Sequence, residues 1–417
     1  MAPDVPLSPH DREVLRRLCG ELAEAAALPV HAEKKALWMR LNRLQDVRPL
    51  VLIWGGQTPW HEFQDPWLRP QAEDRFARDI ETRLRRTLYQ WRHFPADMVL
   101  EPRVALPIRY HDTGFGLPMT GRRPEDAYGA ASFEPRLHDE RDLEKIRTPV
   151  LTPDWERTRA EHEALQAAAG DLVAVESVGD TGTGVPALWD LLVRWTGIEP
   201  LMRDMIDRPA FVHAAIHRLT EASLARLDQL EGLGLLALNN GNHLVSSGGL
   251  MFTDELPAPD FAGKVRTRDR WGNQMAQIFA CVSPAMHEEF ALRYEIRVLE
   301  RFGLTSYGCC EPLDRKVPIV RKVPRLRRIS MSPWVDWARG AEAIGRDFVY
   351  SAKPNPAVLA ANAWDAGEAR RDLAAILEAT RGLHVELILK DIHTLRNDPP
   401  RLRAWERLAM AMAEASA

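Results

Sequence analysis

Cysteine is scarce: Cys19, Cys281, Cys309 and Cys310 are the four in 417 residues. That number excludes a disulfide scaffold, and a bond between the adjacent Cys309 and Cys310 would be strained. Net charge is also small, formally −4 with a pI near 6.4. This excludes a general binder of nucleic acid or of anionic membranes. No run approaches the roughly 18 apolar residues of a membrane span, and the N-terminal MAPDVPLSPHDREVLRRL lacks an apolar signal core. A cytoplasmic protein with reduced thiols is the expectation. The sequence has no CxxC pair, no HExxH and no glycine-rich dinucleotide fingerprint after its first expected strand. The one basic run, 321–328, reads as a solvated face.

What is present is the balance of a globular enzyme, 45% hydrophobic and 27% charged. Helical spacing over 9–46 (Val14, Leu15, Leu18, Leu22, Ala25) predicts a helix with Ser8 and Asp11 as candidate caps. Eight short apolar runs follow, at 50–54, 98–102, 172–176, 235–238, 304–307, 328–331, 348–351 and 385–389. Amphipathic stretches at 199–231, 284–302, 365–381 and 399–415 lie between or after them. This alternation predicts an α/β fold, a distorted (β/α)8 TIM-type barrel (47–417) with an N-terminal helical cap (1–46). An open doubly wound sheet is the alternative. Long βα-loop excursions are expected at 106–165, where Pro107, Gly114 and Pro124 lie, and at 239–276. Residues 277–282 also read as a strand and are taken as the return of the second excursion.

In such barrels the chemistry sits at the C-terminal strand ends. The residues just past each expected strand are Trp54, Gln57 and Trp60; Asp180 in Asp-Thr-Gly-Thr-Gly; Asn239 and His243; Tyr307, Cys309, Cys310 and Glu311; Trp334 and Asp336; Lys353; and Lys390, Asp391 and His393. Thiolate, carboxylate and imidazole are zinc ligands, so Cys309, Cys310, Glu311 and His393 form a candidate metal set, with His243 in reserve. Cys309 and Glu311 share a face if the strand continues through them. The alternative is that small cysteines pack at a strand end. Strand alternation places Lys390 with Ile392 and Asp391 with His393. Lys390 and Asp391 either pair with each other or serve a substrate. Lys353 lies in a proline-stiffened turn, where it could meet a carboxylate or brace Asp336 or Asp391. Asp180-Thr-Gly-Thr-Gly before a helix resembles an anion-cradling turn. Trp54, Gln57, Trp60, Asn239, His243, Tyr307 and Trp334 are the candidate substrate contacts.

Several segments resemble the uroporphyrinogen decarboxylase superfamily, which contains decarboxylases and zinc-dependent corrinoid methyltransferases. They are Gly179-Asp-Thr-Gly-Thr-Gly-Val-Pro186, the helix through 197–205 and 208–213, 282–290 ahead of Tyr294, and the strand order around Tyr307-Gly-Cys-Cys. The resemblance covers roughly 45–415 and implies the same distorted barrel. The Arg-rich N-terminal signature of the haem-pathway decarboxylases is absent from Arg48-Pro-Leu-Val-Leu-Ile-Trp-Gly-Gly-Gln57. At the position of the methyltransferases' His-X-Cys pair the chain has Tyr307-Gly308-Cys309, which keeps the cysteine but has Tyr307 for the histidine, and no cysteine lies beyond 310. On this basis the expectation is a zinc-dependent methyltransferase acting on a thiol or small-molecule acceptor. Its donor would be a corrinoid on a partner protein, and it would be a homodimer. The catalytic groups would be drawn from Asp180, Asp336, Lys353, Lys390 and Asp391. The alternatives are a metal-free decarboxylase or lyase on another carboxylated small molecule, and a barrel that only binds a ligand or partner.

Overall fold

The computed structural model describes residues 7–122, 132–245 and 247–416, so residues 1–6 and Pro124 of the first excursion lie outside them. In chain order the main strands are β1 (Leu50–Ile53), β2 (Arg103–Pro107), β3 (Ala174–Val178), β4 (Trp271–Gln274), β5 (Leu304–Tyr307), β6 (Leu326–Met331), β7 (Val349–Ala352) and β8 (Val385–Leu389). Six form one parallel sheet in the order β1-β8-β7-β6-β5-β4. β2 and β3 form a separate parallel pair. The two groups share an apolar cluster that holds Leu50, Leu52 and Ile388 with Val104, Leu106 and Val175, but no ladder joins them among the described residues. The Asp97 N–H donates to the Val51 carbonyl at 2.9 Å, and Leu236 makes a lone parallel bridge with Asp180.

This is an α/β structure with the parallel order of the expected barrel, but a ring of eight ladders is not formed among the described residues. Three expected strands depart from the reading. Residues 98–102 form no strand, and the ladder begins at Arg103. Residues 235–238 contribute the single bridge at Leu236. Residues 277–282 wind instead into the 3-10 turn Gln277–Cys281. The strand ahead of them is Trp-Gly-Asn-Gln, whose polar residues hid it from an apolar-run search.

The long helices also break where backbone chemistry requires it. Residues 9–46 form two helices, Pro9–Ala26 and Val30–Asn42, parted next to Pro29. Ser8 caps the first, accepting from the Asp11 N–H at 3.0 Å, while Asp11 itself accepts from the Glu73 N–H. Residues 199–231 divide at Pro209, and 284–302 pass through a π turn at Glu288–Leu292.

Strand alternation gives the sheet two unlike faces. Val51, Ile53, Ile329, Met331, Tyr350, Ala352, Leu387 and Leu389 pack outward with the C-terminal helices in one apolar cluster. Each such side chain removed from water contributes about 1.5–3 kcal/mol. The opposite face carries Ser306, Arg328, Ser330, Ser351, Glu386 and Lys390, all buried.

Buried polar groups must be paired, and here the pairing is dense. Arg328 Nη2 lies 3.1 Å from Glu386 Oε2 and donates to Asn42 Oδ1 at 2.7 Å. Glu386 Oε1 accepts from the Gly249 N–H at 3.0 Å and from Ser351 Oγ at 2.5 Å. The segment through Gly248 and Gly249 lies directly on these groups. A Cβ at Gly248 would stand 2.6 Å from Arg328 Cδ, and one at Gly249 would stand 2.3 Å from the Trp38 ring. Only glycine fits between the helix Val30–Asn42 and this face.

Candidate active site at the strand ends

β5 ends at Tyr307, and Gly308 turns the chain with φ of +92°. The strand therefore does not continue through Cys309 and Glu311, and they do not share a face. Glu311 folds back instead, accepting from the Cys309 N–H at 2.8 Å and the Ala276 N–H at 3.1 Å. Its carboxylate holds the loop, and burial raises its pKa to about 7. β8 likewise stops at Leu389, and Asp391 adopts the left-handed conformation with φ of +55°. The expected alternation of Lys390, Asp391, Ile392 and His393 ends there, and His393 is left exposed.

These two broken strand ends bring four groups together. Lys390 Nζ donates to Cys309 Sγ at 3.1 Å and to Cys310 Sγ at 3.4 Å. The two sulfurs are 3.4 Å apart. Asp391 Oδ2 lies 3.2 Å from Lys390 Nζ and 3.5 Å from Cys310 Sγ. The Cys310 S–H and the Lys390 ammonium hold the Cys309 thiol well below its usual range, against the opposing effect of burial. Cys310 is pushed up by giving its hydrogen bond to Cys309 and by burial. Burial works against the Lys390 charge, but both sulfurs and Asp391 outweigh it and keep the amine protonated. The arrangement is a pair of thiols beside an ammonium, with Cys309 the more acidic of the two and the Cys310 S–H within reach of both Cys309 Sγ and Asp391 Oδ2. Lys390 is buried, whereas Cys310 and Asp391 reach solvent.

Trp54 and Gln57 join this group as expected. The Trp54 ring lies 5.5 Å from Lys390 Nζ, its Nε1 donates to the Gly248 carbonyl, and Gln57 Oε1 accepts the Asp391 N–H at 2.9 Å. Ser330 Oγ donates to the Cys309 carbonyl at 2.7 Å and meets Ser247 Oγ at 3.1 Å.

The other expected residues lie elsewhere. Lys353 is buried, donating to Ser351 O at 2.9 Å and Ser351 Oγ at 2.6 Å, so it braces neither Asp336 nor Asp391. Burial lowers its pKa to about 7. Asp336 caps the helix Trp337–Ile344 and pairs with Arg339. Trp334 is 72% exposed. Trp60 packs among Phe63, Tyr89 and Phe94. Asn239 bonds both backbone groups of Trp271. Tyr307 turns to the helices, where its OH donates to Glu295 Oε2 at 2.6 Å and meets His287 Nε2 at 2.7 Å.

The turn at Asp180 is not an anion cradle. Arg270 Nη2 donates to the carbonyls of Asp180 and Gly182, both at 2.7 Å, so carbonyls, not N–H groups, converge there. The helix that follows starts only at Leu188. In the 321–328 run Arg321, Lys322 and Arg325 are exposed, as a solvated face requires, whereas Arg328 is fully buried.

The proposed zinc ligands do not assemble. Glu311 is committed to two N–H groups, His393 is exposed, and an ammonium occupies the position beside the sulfurs. Among the described residues no group of three or more His, Cys, Asp or Glu side chains could hold a metal ion. Also among them, no helix is long and apolar enough to cross a membrane.

Sequence reasoning missed Ser247, Ser351, Arg328 and Glu386. The available signal was a polar residue at alternate positions inside an apolar run, as in Val-Glu-Leu-Ile-Leu of β8.

No protein-family model matches this chain, and no curated protein matches it in sequence. Among solved structures it is similar to a methyltransferase from Methanosarcina mazei. The identity is 11%, the TM-score 0.48, and the match covers 91% of this chain and 98% of that one.

Proposed function

We propose that this chain is a group-transfer enzyme in which Cys309, held as a thiolate, is the nucleophile. The observation that carries the reading is the 3.1 Å contact of Lys390 Nζ with Cys309 Sγ at the C-terminal edge of a parallel sheet. A thiolate is the reactive form of cysteine, and a fixed ammonium is a standard means of maintaining it. In the step proposed, the sulfur lone pair of Cys309 attacks an electrophilic carbon. The leaving group departs with the bonding pair, and the transferred group stays on sulfur. Cys310 and Lys390 hold the thiolate before attack, and Lys390 retains its proton throughout.

The finer reading is that the group is methyl, supported by the sequence resemblance of 179–213 and 282–290. The residues present do not fit a zinc set, so no step runs through a metal. A corrinoid-bound methyl is one donor to compare with simpler methyl electrophiles. Nothing in the geometry favours the decarboxylase alternative, since Lys353 is internal, Asp336 is a helix cap and Asp180 is held by Arg270.

The test is mass spectrometry of the protein after exposure to methyl donors. A 14 Da gain on the peptide containing Cys309 (one CH2 in net composition, about 14 Da), absent in Cys309→Ser, is expected. Equal modification of Cys281, the exposed cysteine, would show that Cys309 has no special reactivity.

A further inference from the structure

A second feature lies on another part of the molecule and shares no residue with the thiol site. β1 is paired with β8 on one side, and on the other no strand among the described residues pairs with it, Asp97 bonding Val51 and β2 beginning at Arg103. A cavity of about 400 Å3 lies between β2, β3 and the helix Arg75–His93. That is the size of a small-molecule site. Its walls are aliphatic, with Leu22, Ile80, Leu84, Val99, Val104 and Val178, and no aromatic ring of Phe, Tyr or Trp lines it.

Polar residues also line it, Glu101 and Arg103 among them, and they are unequally satisfied. Arg103 is neutralised by Glu101 at 2.9 Å and Glu176 at 3.3 Å. Arg83 is exposed at the rim, donates to the Ala105 carbonyl at 3.2 Å and makes no ion pair among the described residues. Asp79, one helical turn earlier, attracts it without closing a pair. His243 also lines the cavity, and its Nδ1 is buried with no hydrogen-bond partner. A buried polar atom left unmatched is costly and marks a place where a ligand atom would be welcome.

We propose that this cavity binds a medium-chain aliphatic carboxylate, with the chain along the Leu, Ile and Val walls and the carboxylate on Arg83 at the rim. An aliphatic wall favours a flexible chain over a flat ring, and one uncompensated guanidinium matches one negative charge.

Calorimetric titration of the full chain with octanoate, octanol and acetate separates head from tail. Octanoate binds saturably and at least tenfold more tightly than either of the others. Arg83→Gln removes the preference for octanoate over octanol, while Leu84→Trp and Val104→Trp, which fill the cavity from the helix and from the strand, each weaken octanoate at least tenfold. Thermal melts identify any variant that has lost its fold, and the second filling variant then decides. The proposal is overturned if octanoate does not bind saturably or binds no better than octanol or acetate. Wild-type octanoate affinity in a folded filling variant also overturns it.

Discussion

Lys390 Nζ and Cys309 Sγ, 81 residues apart in sequence, stand 3.1 Å from one another where β8 and β5 end. The contact exists because both strands stop one step early, at Gly308 on one side and at Asp391 on the other, each with positive φ. Non-glycine residues rarely adopt that conformation, and its appearance at Asp391 beside a reactive pair fits the clustering of strain at functional sites.

Replacing Lys390 with Met removes the charge that favours the thiolate. The pH midpoint for alkylation of Cys309 by iodoacetamide then moves up, and the rate at pH 7 falls about tenfold or more, since each pKa unit is a factor of ten in ionisation. An unchanged midpoint in Lys390→Met would remove the basis for the proposed nucleophile.

Cys310 acts through its hydrogen, so its substitutions should separate by chemistry. Cys310→Ser retains a donor and keeps most of the alkylation rate of Cys309, whereas Cys310→Ala loses the donor and slows it. The measurement is peptide-resolved alkylation across pH. A rate in Cys310→Ala equal to that of the parent protein contradicts this role.

Lys353 gives a stability prediction with a definite sign. Its folded pKa is near 7 because burial disfavours the charge, against an ordinary value of 10.5. Between these values the unfolded chain holds a proton that the folded chain lacks, so stability rises with pH across that window, by at most about 1.4 kcal/mol per pH unit. Below pH 7 both forms are protonated and the cost is constant. Lys353→Met should therefore lose this slope when urea unfolding is compared at pH 7 and pH 9. Parallel behaviour of the two proteins would mean that Lys353 stays charged.

Gly249→Ala places a methyl group against the Trp38 ring and beside Glu386 Oε2. Overpacking of this kind costs about 1–3 kcal/mol. Urea titration should show that loss, and Trp38→Phe in the same chain should recover part of it by freeing space. No loss in Gly249→Ala would mean that the segment can move away from the sheet.

The ion pair of Arg328 and Glu386 is buried on both sides. Removing one partner alone leaves an unpaired internal charge, at about 3–5 kcal/mol. Arg328→Met with Glu386→Met should cost much less than the sum of the single changes. An additive double mutant would show that the two residues are not energetically coupled.

Much of the sheet could be read directly from sequence because its outer face is apolar. The runs at 50–54, 304–307, 328–331, 348–351 and 385–389 lie on strands, with ends within two residues. β4 could not, since Asn273 and Gln274 bury polar side chains that bond Ser306 and Pro186 and leave no apolar pattern. The meeting of Cys309, Cys310, Lys390, Asp391, Trp54 and Gln57 at the strand ends was also legible as a candidate site. The proposed ligand set was not, because it assumed strands continuing past Tyr307 and Leu389. Two residues with positive φ redirect Glu311 and His393, and backbone turns of that kind leave little trace in side-chain type. The pairing of Lys390 with Asp391 was one of the two outcomes foreseen, and its additional reach to both sulfurs depended on the turn at Gly308.

The segment through Gly248 and Gly249 has a further consequence for how the thiols are met. Because it rests on Arg328 and Glu386 and its carbonyl holds Trp54 beside Lys390, it fills the depth that a well behind the cysteines would need. Cys309 itself is buried, and Cys310 and Asp391 are the members of the cluster that reach solvent, so an incoming molecule meets them first.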